Sequence, residues 1–361
     1  MSGRLLAVVT VRLSGGGIAG YVLQNCERMG LPVDVVTIEE PGEAVRARVA
    51  GFGGRLYVLG RNRNPAAYVR ALARLVRRGG YRAAWCHGNS ATLAADLLGA
   101  RLGGARVRIA HAHNTACSHP ALHRLLRPLM NALATRRLAC GKAAGRFLYG
   151  RRPFTVCHNG VDTARFAFSP ALRRDMRAAL GLADGARVLG TVGALSAAKD
   201  PLFAAEVFAA LRRREPGVRL LVVGDGPLRG ELEARLTALG VRDAAVLAGA
   251  RQDVPALLDA MDVFLLPSRH EGFPLALVEA LCSGLPCVAA DAVAREADAD
   301  VTGRTAFLPR DAARWARQLL VTPPADETER RAAQGEVRAA GYDVQDTAAA
   351  LARLLREEAG I

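Results

Sequence analysis

The sequence predicts an α/β protein of two doubly wound, parallel-sheet domains that face a central cleft. Its 361 residues are too many for a single hydrophobic core. Short apolar runs typical of buried strands alternate with helix-forming stretches in both halves of the chain. Since 51% of the residues are hydrophobic, each half can bury a core without disulfide cross-links. We expect the first domain to comprise residues 1–160 and the second residues 161–342.

The order of predicted elements supports this division. In the first half the strand-like runs are Leu5–Val11, Val33–Thr37, Leu56–Leu59, Ala83–Cys86 and Val107–Ala110. The helix-like stretches there are Gly20–Met29, Pro65–Arg78, Thr92–Leu102, Ala121–Leu133 and Gly141–Leu148. The turn-rich segment Val156–Asp162 then crosses into the second half. Its strand-like runs are Arg187–Val192, Arg219–Val223, Ala245–Leu247, Val263–Leu266 and Pro286–Ala289, and a helical pattern follows at Val344–Glu357.

Cysteine usage and hydropathy indicate the compartment. The seven cysteines are odd in number and include no Cys-x-x-Cys pair, which favours small core residues in a reducing environment over a zinc site. The apolar run at residues 5–11 is too short for a signal peptide and leads into glycines. No apolar stretch reaches the roughly 20 residues that a membrane span needs. We therefore expect a cytoplasmic protein.

Positive charge is concentrated in the first half. Residues 1–160 contain 24 Lys and Arg against 6 Asp and Glu, a net charge of +18, whereas the remainder carries −3. Four arginines recur at helical spacing, and two more precede them: Arg70, Arg74, Arg77 and Arg78, with Arg61 and Arg63. Such a face attracts phosphates of nucleic acid, of an anionic membrane or of a lipid-linked acceptor, and it is also compatible with a merely solvated surface.

The most informative stretch is Asp262–Ala289, which predicts strand, turn, helix, turn and strand. Glu271 lies in the loop at the carboxyl end of the first strand, where ligands bind in open α/β sheets. Gly272 allows the backbone to approach a ligand closely, and Pro274 suits the first turn of a helix that carries Glu279. Taken singly, either glutamate is more often an exposed surface residue.

The pair of glutamates and its flanking residues resemble a known family. Gly-Phe-Pro follows Glu271, and Ala-Leu-Cys-Ser-Gly-Leu-Pro follows Glu279. This pattern is similar to that of retaining, metal-independent glycosyltransferases of family 4 (group 1), which have the two-domain GT-B fold, and in particular to enzymes of capsular and exopolysaccharide synthesis. The resemblance covers nearly the whole chain. It implies that the first domain binds the acceptor, that the second binds a nucleotide sugar, and that residues 343–361 pack back on the first domain.

A glycine-rich turn, Ser14–Gly17, follows the first strand and precedes a helix, so its amides can approach a phosphate. It lacks the spacing of a dinucleotide-binding fingerprint and the Lys-Ser/Thr of a P-loop. The resemblance implies that Gly16 and Gly17 contact the donor, and it shows one departure, because a frequent glutamate is replaced here by Ala19.

Two histidines, His111 and His113, stand at the end of another predicted strand. We expect them to point to opposite faces, which makes them poor partners in a metal site and leaves only one facing the cleft. The Asn-Thr that follows matches the family pattern, and it selects His113 as the histidine near the donor sugar or the reaction centre. His111 is then expected to pack behind it.

A strand, a loop starting at Gly193 and a helix place Lys199 where a diphosphate would lie. The family usually has an arginine five residues earlier, where this chain has Ala194, and Arg269 or Arg12 is a candidate substitute. Two further strand-to-helix turns, around Gly224 and Val254, resemble those that hold the base and ribose through backbone groups. Both turns could equally be plain architecture, but their order relative to Lys199 and Glu271 favours the functional interpretation.

Together these residues imply a donor site. The catalytic candidates are His113, Lys199 and Glu271. The donor-binding candidates are Gly16, Gly17, Ala194, Lys199, Gly224, Val254, Glu271, Gly272, Phe273, Pro274, Leu275 and Glu279. In the mechanism that the resemblance implies, Lys199 and the amides around Phe273 and Leu275 neutralise the diphosphate, while Glu271 orients the sugar and Glu279 accepts from the ribose.

We expect no metal and no cofactor beyond the nucleotide-diphosphate sugar, with a UDP-sugar as the first choice. The expected acceptor is a glycan or a polyprenyl-diphosphate-linked sugar, handled at the inner face of the plasma membrane. A small natural-product or aminocyclitol acceptor is the alternative within this class. A sugar phosphorylase, a nucleotide-sugar epimerase and a nucleic-acid-binding protein are alternatives from other classes, although the basic half lacks the interleaved aromatics of the last.

Overall fold

A computed structural model describes residues 3–11, 13, 17–60, 64–269, 271, 273–293 and 302–359, with side chains to 357. The chain forms two compact units, Met1–Gly160 with Val344–Ile361, and Val161–Asp343. Within the described residues, no helix is both long enough and apolar enough to cross a bilayer.

The first unit is built on a seven-stranded sheet in which every pairing is parallel. In chain order its strands are β1 Leu5–Val9, β2 Val33–Thr37, β3 Leu56–Val58, β4 Ala83–Gly88, β5 Val107–Ala112, β6 Arg136–Ala139 and β7 Thr155–Val156. The order across the sheet is β3-β2-β1-β4-β5-β6-β7, so it reverses between β1 and β4. The edge beyond the carboxyl ends at such a reversal is where doubly wound folds bind ligands.

Helices cover this sheet: α1 Gly17–Arg28, α2 Glu43–Gly51, α3 Pro65–Gly79, α4 Ala94–Gly103, α5 Pro120–Leu133, α6 Lys142–Tyr149 and the last helix, α14 Val344–Ala359. Strand β1 is fully buried, as an apolar strand with a layer on each face should be. Helix α14 contacts α1 and places Ala348, Leu351 and Leu355 in the same core as β1.

The second unit has a six-stranded parallel sheet in the order β10-β9-β8-β11-β12-β13. Its strands are β8 Val188–Val192, β9 Arg219–Val223, β10 Ala245–Gly249, β11 Val263–Leu266, β12 Cys287–Ala290 and β13 Thr305–Leu308. Its helices are α7 Pro170–Ala179, α8 Pro201–Arg212, α9 Arg229–Ala238, α10 Val254–Ala260, α11 Leu275–Cys282, α12 Ala312–Leu320 and α13 Glu327–Val337. The order reverses between β8 and β11, which again marks a ligand-binding edge.

The predicted fold class is confirmed, and each predicted strand is present within about three residues of its expected bounds. Several elements escaped prediction: the strands β6, β7 and β13 and the helices α2, α7, α12 and α13. Strand β6 begins with two arginines, which hides its strand character, and β7 is only two residues long. Arg137 is accommodated because its guanidinium donates to the side chain and carbonyl of Asn131 at 2.9 and 2.6 Å.

One buried arginine ties together the amino-terminal side of the second sheet. Arg330 of α13 is 3% exposed and donates to the carbonyls of Ser283, Met261, Asp259 and Leu258 at 2.9 to 3.3 Å. Its guanidinium carbon also lies 3.9 Å from the ring centre of Phe168. Burial lowers the pKa of Arg330 to about 9, and the carbonyl oxygens together with the Asp259 carboxylate, 3.8 Å away, compensate its charge.

We predict that Arg330→Met lowers the free energy of unfolding by about 3 kcal/mol, because it leaves several buried carbonyl oxygens without a donor. Urea denaturation measures the change. The neighbouring Arg331→Met is the matched control. Arg331 is exposed and pairs with Glu327 one turn away, so its loss should cost less than about 0.5 kcal/mol. Equal effects of the two substitutions would contradict the assigned role of Arg330.

Candidate functional site

The second unit has a depression at the carboxyl ends of β8 and β11, next to the reversal of strand order. The lining residues come from the loops after these strands and from the start of α8, and include Gly193, Ala194, Lys199, Pro267 and Ser268. The sheet topology therefore brings together loops that are about 70 residues apart in the chain.

Lys199 and Glu271 form an ion pair at this depression. Lys199 Nζ lies 2.5 Å from Glu271 Oε1, and the same oxygen accepts a hydrogen bond from Ser268 Oγ at 2.7 Å. The Glu271 side chain is 8% exposed and that of Lys199 is 33% exposed. Sequence reasoning selected both residues but not their contact. An anion that binds Lys199 must therefore share or replace its bond to Glu271.

Glu279 lies on α11, the helix that follows Glu271, and its side chain is half-buried. Burial raises the pKa of Glu279 to about 7, and the positive charges of Arg165 and Lys199 only partly offset this effect. At neutral pH the carboxyl group is thus poised between its charged and neutral forms. A ligand with donor hydroxyls would favour the charged form.

Several predicted donor-binding positions lie in the chain between Glu271 and Glu279. Phe273 stacks on Tyr342 with ring centroids 5.9 Å apart. Pro274 precedes α11 at its cap position. The N–H of Leu275 donates to the carbonyl of Phe273 at 3.0 Å. In this conformation the Leu275 amide is therefore engaged inside the turn. Gly272 lies outside the described residues.

Gly224 has an architectural role that is independent of any ligand. Its φ is +137°, and a Cβ atom there would lie 1.9 Å from the carbonyl oxygen of Gly193. The loops after β8 and β9 are joined by bonds from Gly193 N to Val223 O and from Leu195 N to Asp225 O. Glycine is thus required because two backbones meet. Val254 starts α10 and is half-buried.

Arg269, one candidate for the missing family arginine, forms an ion pair near Ala194. Ala194 is exposed, and the guanidinium of Arg269 pairs with Asp200 Oδ2 at 2.9 Å while remaining 63% exposed. Asp200 also pairs with Arg310 and caps α8 through the N–H of Phe203. Arg269 therefore helps hold the start of α8, the helix that Lys199 immediately precedes. The other candidate, Arg12, lies outside the described residues.

The first unit carries a cluster of histidines at the carboxyl ends of β4 and β5. The ring centroids of His111 and His113 are 4.3 Å apart, and His87 Nδ1 lies 2.9 Å from His113 Nε2. The expectation that His111 and His113 point to opposite faces was wrong, because residues two apart along a strand share a face. His87 was missed by sequence reasoning. Its position at the end of a strand-like run, like that of His111, was the available signal, and the two are register partners.

All three histidines are at most 5% exposed. Burial lowers the pKa of His113 to about 3, and it also holds the pKa values of His87 and His111 well below the usual 6.5. The cluster is therefore neutral at pH 7. Its residues carry hydrogen bonds but no charge.

One ring nitrogen from each histidine lies within 4.8 Å of the others, so the cluster meets the distance requirement of a metal site. The hydrogen bonds of these histidines are nevertheless inconsistent with metal binding. Trp85 Nε1 donates to His111 Nδ1 at 3.1 Å, which places the proton of neutral His111 on Nε2 and removes that atom as a ligand. His87 and His113 bond to each other. The cluster fits a hydrogen-bonded network better than a metal cage.

Gly17, at the start of α1, has a φ of +58°, a conformation that favours glycine. Gly16 lies outside the described residues. Ala19, which stands where the family often has a glutamate, is buried in the first core.

We predict that acid destabilises the protein through these histidines. Each is neutral when folded but takes up a proton in the unfolded chain below pH 6.5. The unfolded state then binds more protons than the folded state. The free energy of unfolding therefore decreases as the pH is lowered, by up to about 1.4 kcal/mol per pH unit per histidine. This decrease in the free energy of unfolding continues until the pH reaches the pKa of the histidine in the folded protein, which is about 3 for His113.

Urea denaturation at pH 7.5, 6.0 and 5.0 tests this dependence. His113→Gln should show a shallower loss, whereas a substitution of the exposed His119 should retain the full slope. Identical slopes for the two variants would show that the cluster does not control the acid response.

Comparisons with known proteins agree with this architecture. Residues 16–165 match the family described as Glycosyltransferase Family 4, and residues 186–322 match Glycosyl transferases group 1. The chain is 30% identical to EpsF from Bacillus subtilis (strain 168), whose name assigns it as a glycosyltransferase, over 96% of this chain and 95% of that protein.

Two further proteins are similar in part or in fold. Over 139 residues, 37% of this chain and 35% of the relative, it is 39% identical to the UDP-Gal:alpha-D-GlcNAc-diphosphoundecaprenol alpha-1,3-galactosyltransferase of Escherichia coli. The crystal structure of Anabaena HepE in complex with UDP superposes with a TM-score of 0.80 and 21% identity, covering 98% of this chain and all of that one (100%).

Proposed function

Because the chain belongs to the family 4 (group 1) glycosyltransferases, we propose that it transfers a sugar from a UDP-sugar to a glycan or polyprenyl-diphosphate-linked acceptor in cell-surface polysaccharide synthesis. The observation that carries the proposal is the Lys199–Glu271 pair, set at the ligand-binding edge of the second sheet with Glu279 on the next helix. The UDP bound to HepE and the UDP-Gal and lipid-linked acceptor in the name of the Escherichia coli relative support the choice of substrates.

The ion pair suggests how the donor is held. The diphosphate carries more negative charge than one carboxylate, so it competes for Lys199 Nζ when it binds. Glu271 keeps its bond from Ser268 Oγ, and its other acceptor positions become available to hydroxyls of the transferred sugar. One contact in the free protein thus prepares two contacts to the donor.

Glu279 is assigned to the ribose. A carboxylate can accept from two neighbouring hydroxyls at once, and α11 holds this one in a half-buried position. The pKa of Glu279 is about 7 because burial disfavours the charged carboxylate. Hydrogen bonds from the ribose hydroxyls stabilise the charged carboxylate and offset this effect of burial.

For the chemical step we propose retention of configuration. The bond between the anomeric carbon and the diphosphate oxygen breaks, and its electron pair leaves with the phosphate. The acceptor oxygen bonds to the same face of the anomeric carbon, and the acceptor proton moves to the departing phosphate oxygen. Lys199 stabilises the charge that develops on the leaving group. His113, neutral in the free protein, is assigned a hydrogen-bonding role and not a charged one.

We assign acceptor binding to the first unit, on the basis of its charge. Residues 1–160 carry a net charge of +18, which attracts a lipid diphosphate and repels a cationic aminocyclitol. The same charge favours work at an anionic membrane surface.

We predict that UDP raises the thermal midpoint of the wild-type protein, because a ligand that binds only the folded state stabilises it by about 2.7 kcal/mol at a hundredfold excess over Kd. Lys199→Ala and Glu279→Ala should lose most of this shift. The chain has one other lysine, Lys142, so Lys142→Ala is the matched control and should respond like the wild type. A panel with ADP, GDP and dTDP tests the base. No shift with any nucleotide, or an undiminished shift in both site variants, would refute the donor site.

We also predict that UDP affinity depends on pH through Glu279. With a pKa of about 7, the carboxyl group is mostly charged at pH 8 and mostly protonated at pH 6, where it accepts ribose hydroxyls less well. UDP affinity should therefore be about tenfold weaker at pH 6. The phosphate of UDP also titrates in this range, so calorimetry on Glu279→Gln supplies the correction. The same pH profile for Glu279→Gln and the wild type would exclude the proposed role.

A further inference from the structure

Strand β4 supplies a hydrogen-bond partner to each of the two histidines at the end of β5. Trp85 Nε1 donates to His111 Nδ1 at 3.1 Å, and His87 Nδ1 lies 2.9 Å from His113 Nε2. The second contact lies two residues beyond the first on both sides, consistent with the parallel register of the strands. An indole N–H can only donate, so the direction of the first bond is fixed. The direction of the second depends on where two histidine protons reside.

The two protons of this pair can be arranged in two ways, since burial keeps both rings neutral at pH 7. If His87 donates from Nδ1, its Nε2 is bare and the proton of His113 lies on Nδ1. If His113 donates from Nε2, its Nδ1 is bare and the proton of His87 lies on Nε2. The direction of one buried bond therefore decides whether His113 offers a donor or an acceptor at Nδ1.

The outer nitrogens favour donation by His87. Neither His87 Nε2 nor His113 Nδ1 has a hydrogen-bond partner among the described residues, and both atoms are buried. In each arrangement one of these two atoms carries an N–H that needs an acceptor. His87 is 0% exposed, whereas His113, one residue beyond β5, is 5% exposed. The N–H is therefore better placed on His113, the residue that reaches the surface.

We propose that His87 is a positioning residue for His113: it donates from Nδ1 and so holds His113 with its proton on Nδ1. His113 then offers an N–H to an oxygen of a ligand bound at the carboxyl edge of the first sheet. Sugar hydroxyls and phosphate oxygens both accept such a bond. This functional part rests on the proposed function, in which the first unit binds the acceptor, whereas the position of the proton does not.

Nuclear magnetic resonance of protein labelled with ¹⁵N-histidine measures the position of the proton, because protonated and bare ring nitrogens differ in chemical shift. In the wild type, His113 should carry its proton on Nδ1. His87→Asn should retain this state, since an asparagine amide can donate from nearly the same place as Nδ1. His87→Leu removes the donor, and the proton of His113 should then move to Nε2, the nitrogen that is favoured in a free histidine side chain.

His123→Leu is the matched control for the loss of a buried histidine. His123 lies in the same unit, is 4% exposed and accepts a hydrogen bond from the N–H of Ala91 at 3.2 Å. It has no part in the contact between His87 and His113, so its substitution should leave the proton of His113 in place.

Turnover tests the functional part, with the UDP-sugar that gives the largest thermal shift. His87→Leu should lower kcat for UDP release by about tenfold and leave KM for the donor unchanged, because it removes about one hydrogen bond outside the donor site. His87→Asn should stay within about threefold of the wild type, since it keeps the donor.

A wild-type His113 with its proton on Nε2 would overturn the proposal, as would an unchanged proton position in His87→Leu. Equal losses of turnover in His87→Asn and His87→Leu would reduce His87 to a packing residue. The UDP-induced thermal shift of each variant reports separately on the fold and the donor site of the second unit. No turnover by the wild type would refute the proposed function, whereas the resonance measurement would still decide the role of His87.

Discussion

The constraint on which the rest of this protein depends is the covering of two parallel sheets by helices on both faces. Strands such as β1 and β11 are fully buried, so polar chemistry is confined to the loops where strands end. Both groups of candidate site residues obey this rule. The Lys199–Glu271 pair lies beyond β8 and β11, and the histidine cluster lies at the ends of β4 and β5.

The two sites solve the problem of burying polar groups in opposite ways. In the second unit, opposite charges neutralise each other at a half-open position, so a charged ligand can enter by exchanging partners. In the first unit, three buried histidines are neutral: His87 and His113 bond to each other, and His111 accepts a hydrogen bond from Trp85. We therefore expect the first arrangement to respond to anions and the second to respond to acid.

The two units also differ in net charge and in how their arginines are used. The first unit carries a large positive excess, which suits an anionic partner. Some arginines of the second unit are used internally, as Arg330 shows with its bonds to buried carbonyls. An arginine count alone would not separate these uses. The two uses of arginine are distinguished by whether hydrogen-bond acceptors lie near the guanidinium group.

The sequence by itself determined the fold class, ten of the thirteen described strands and the identity of Lys199, Glu271 and Glu279 as site candidates. These follow from local signals: apolar runs, glycine turns and a motif at a strand end. Only the tertiary structure decided which of these residues touch. The Lys199–Glu271 bond joins loops about 70 residues apart, and the link between His87 and His113 depends on strand register. The ion pair between Arg269 and Asp200 is likewise visible only in the structure. Sequence spacing records position along the chain, whereas pairing between distant loops is set by the order of strands in the sheet and by the close approach of backbones such as Gly193 and Gly224.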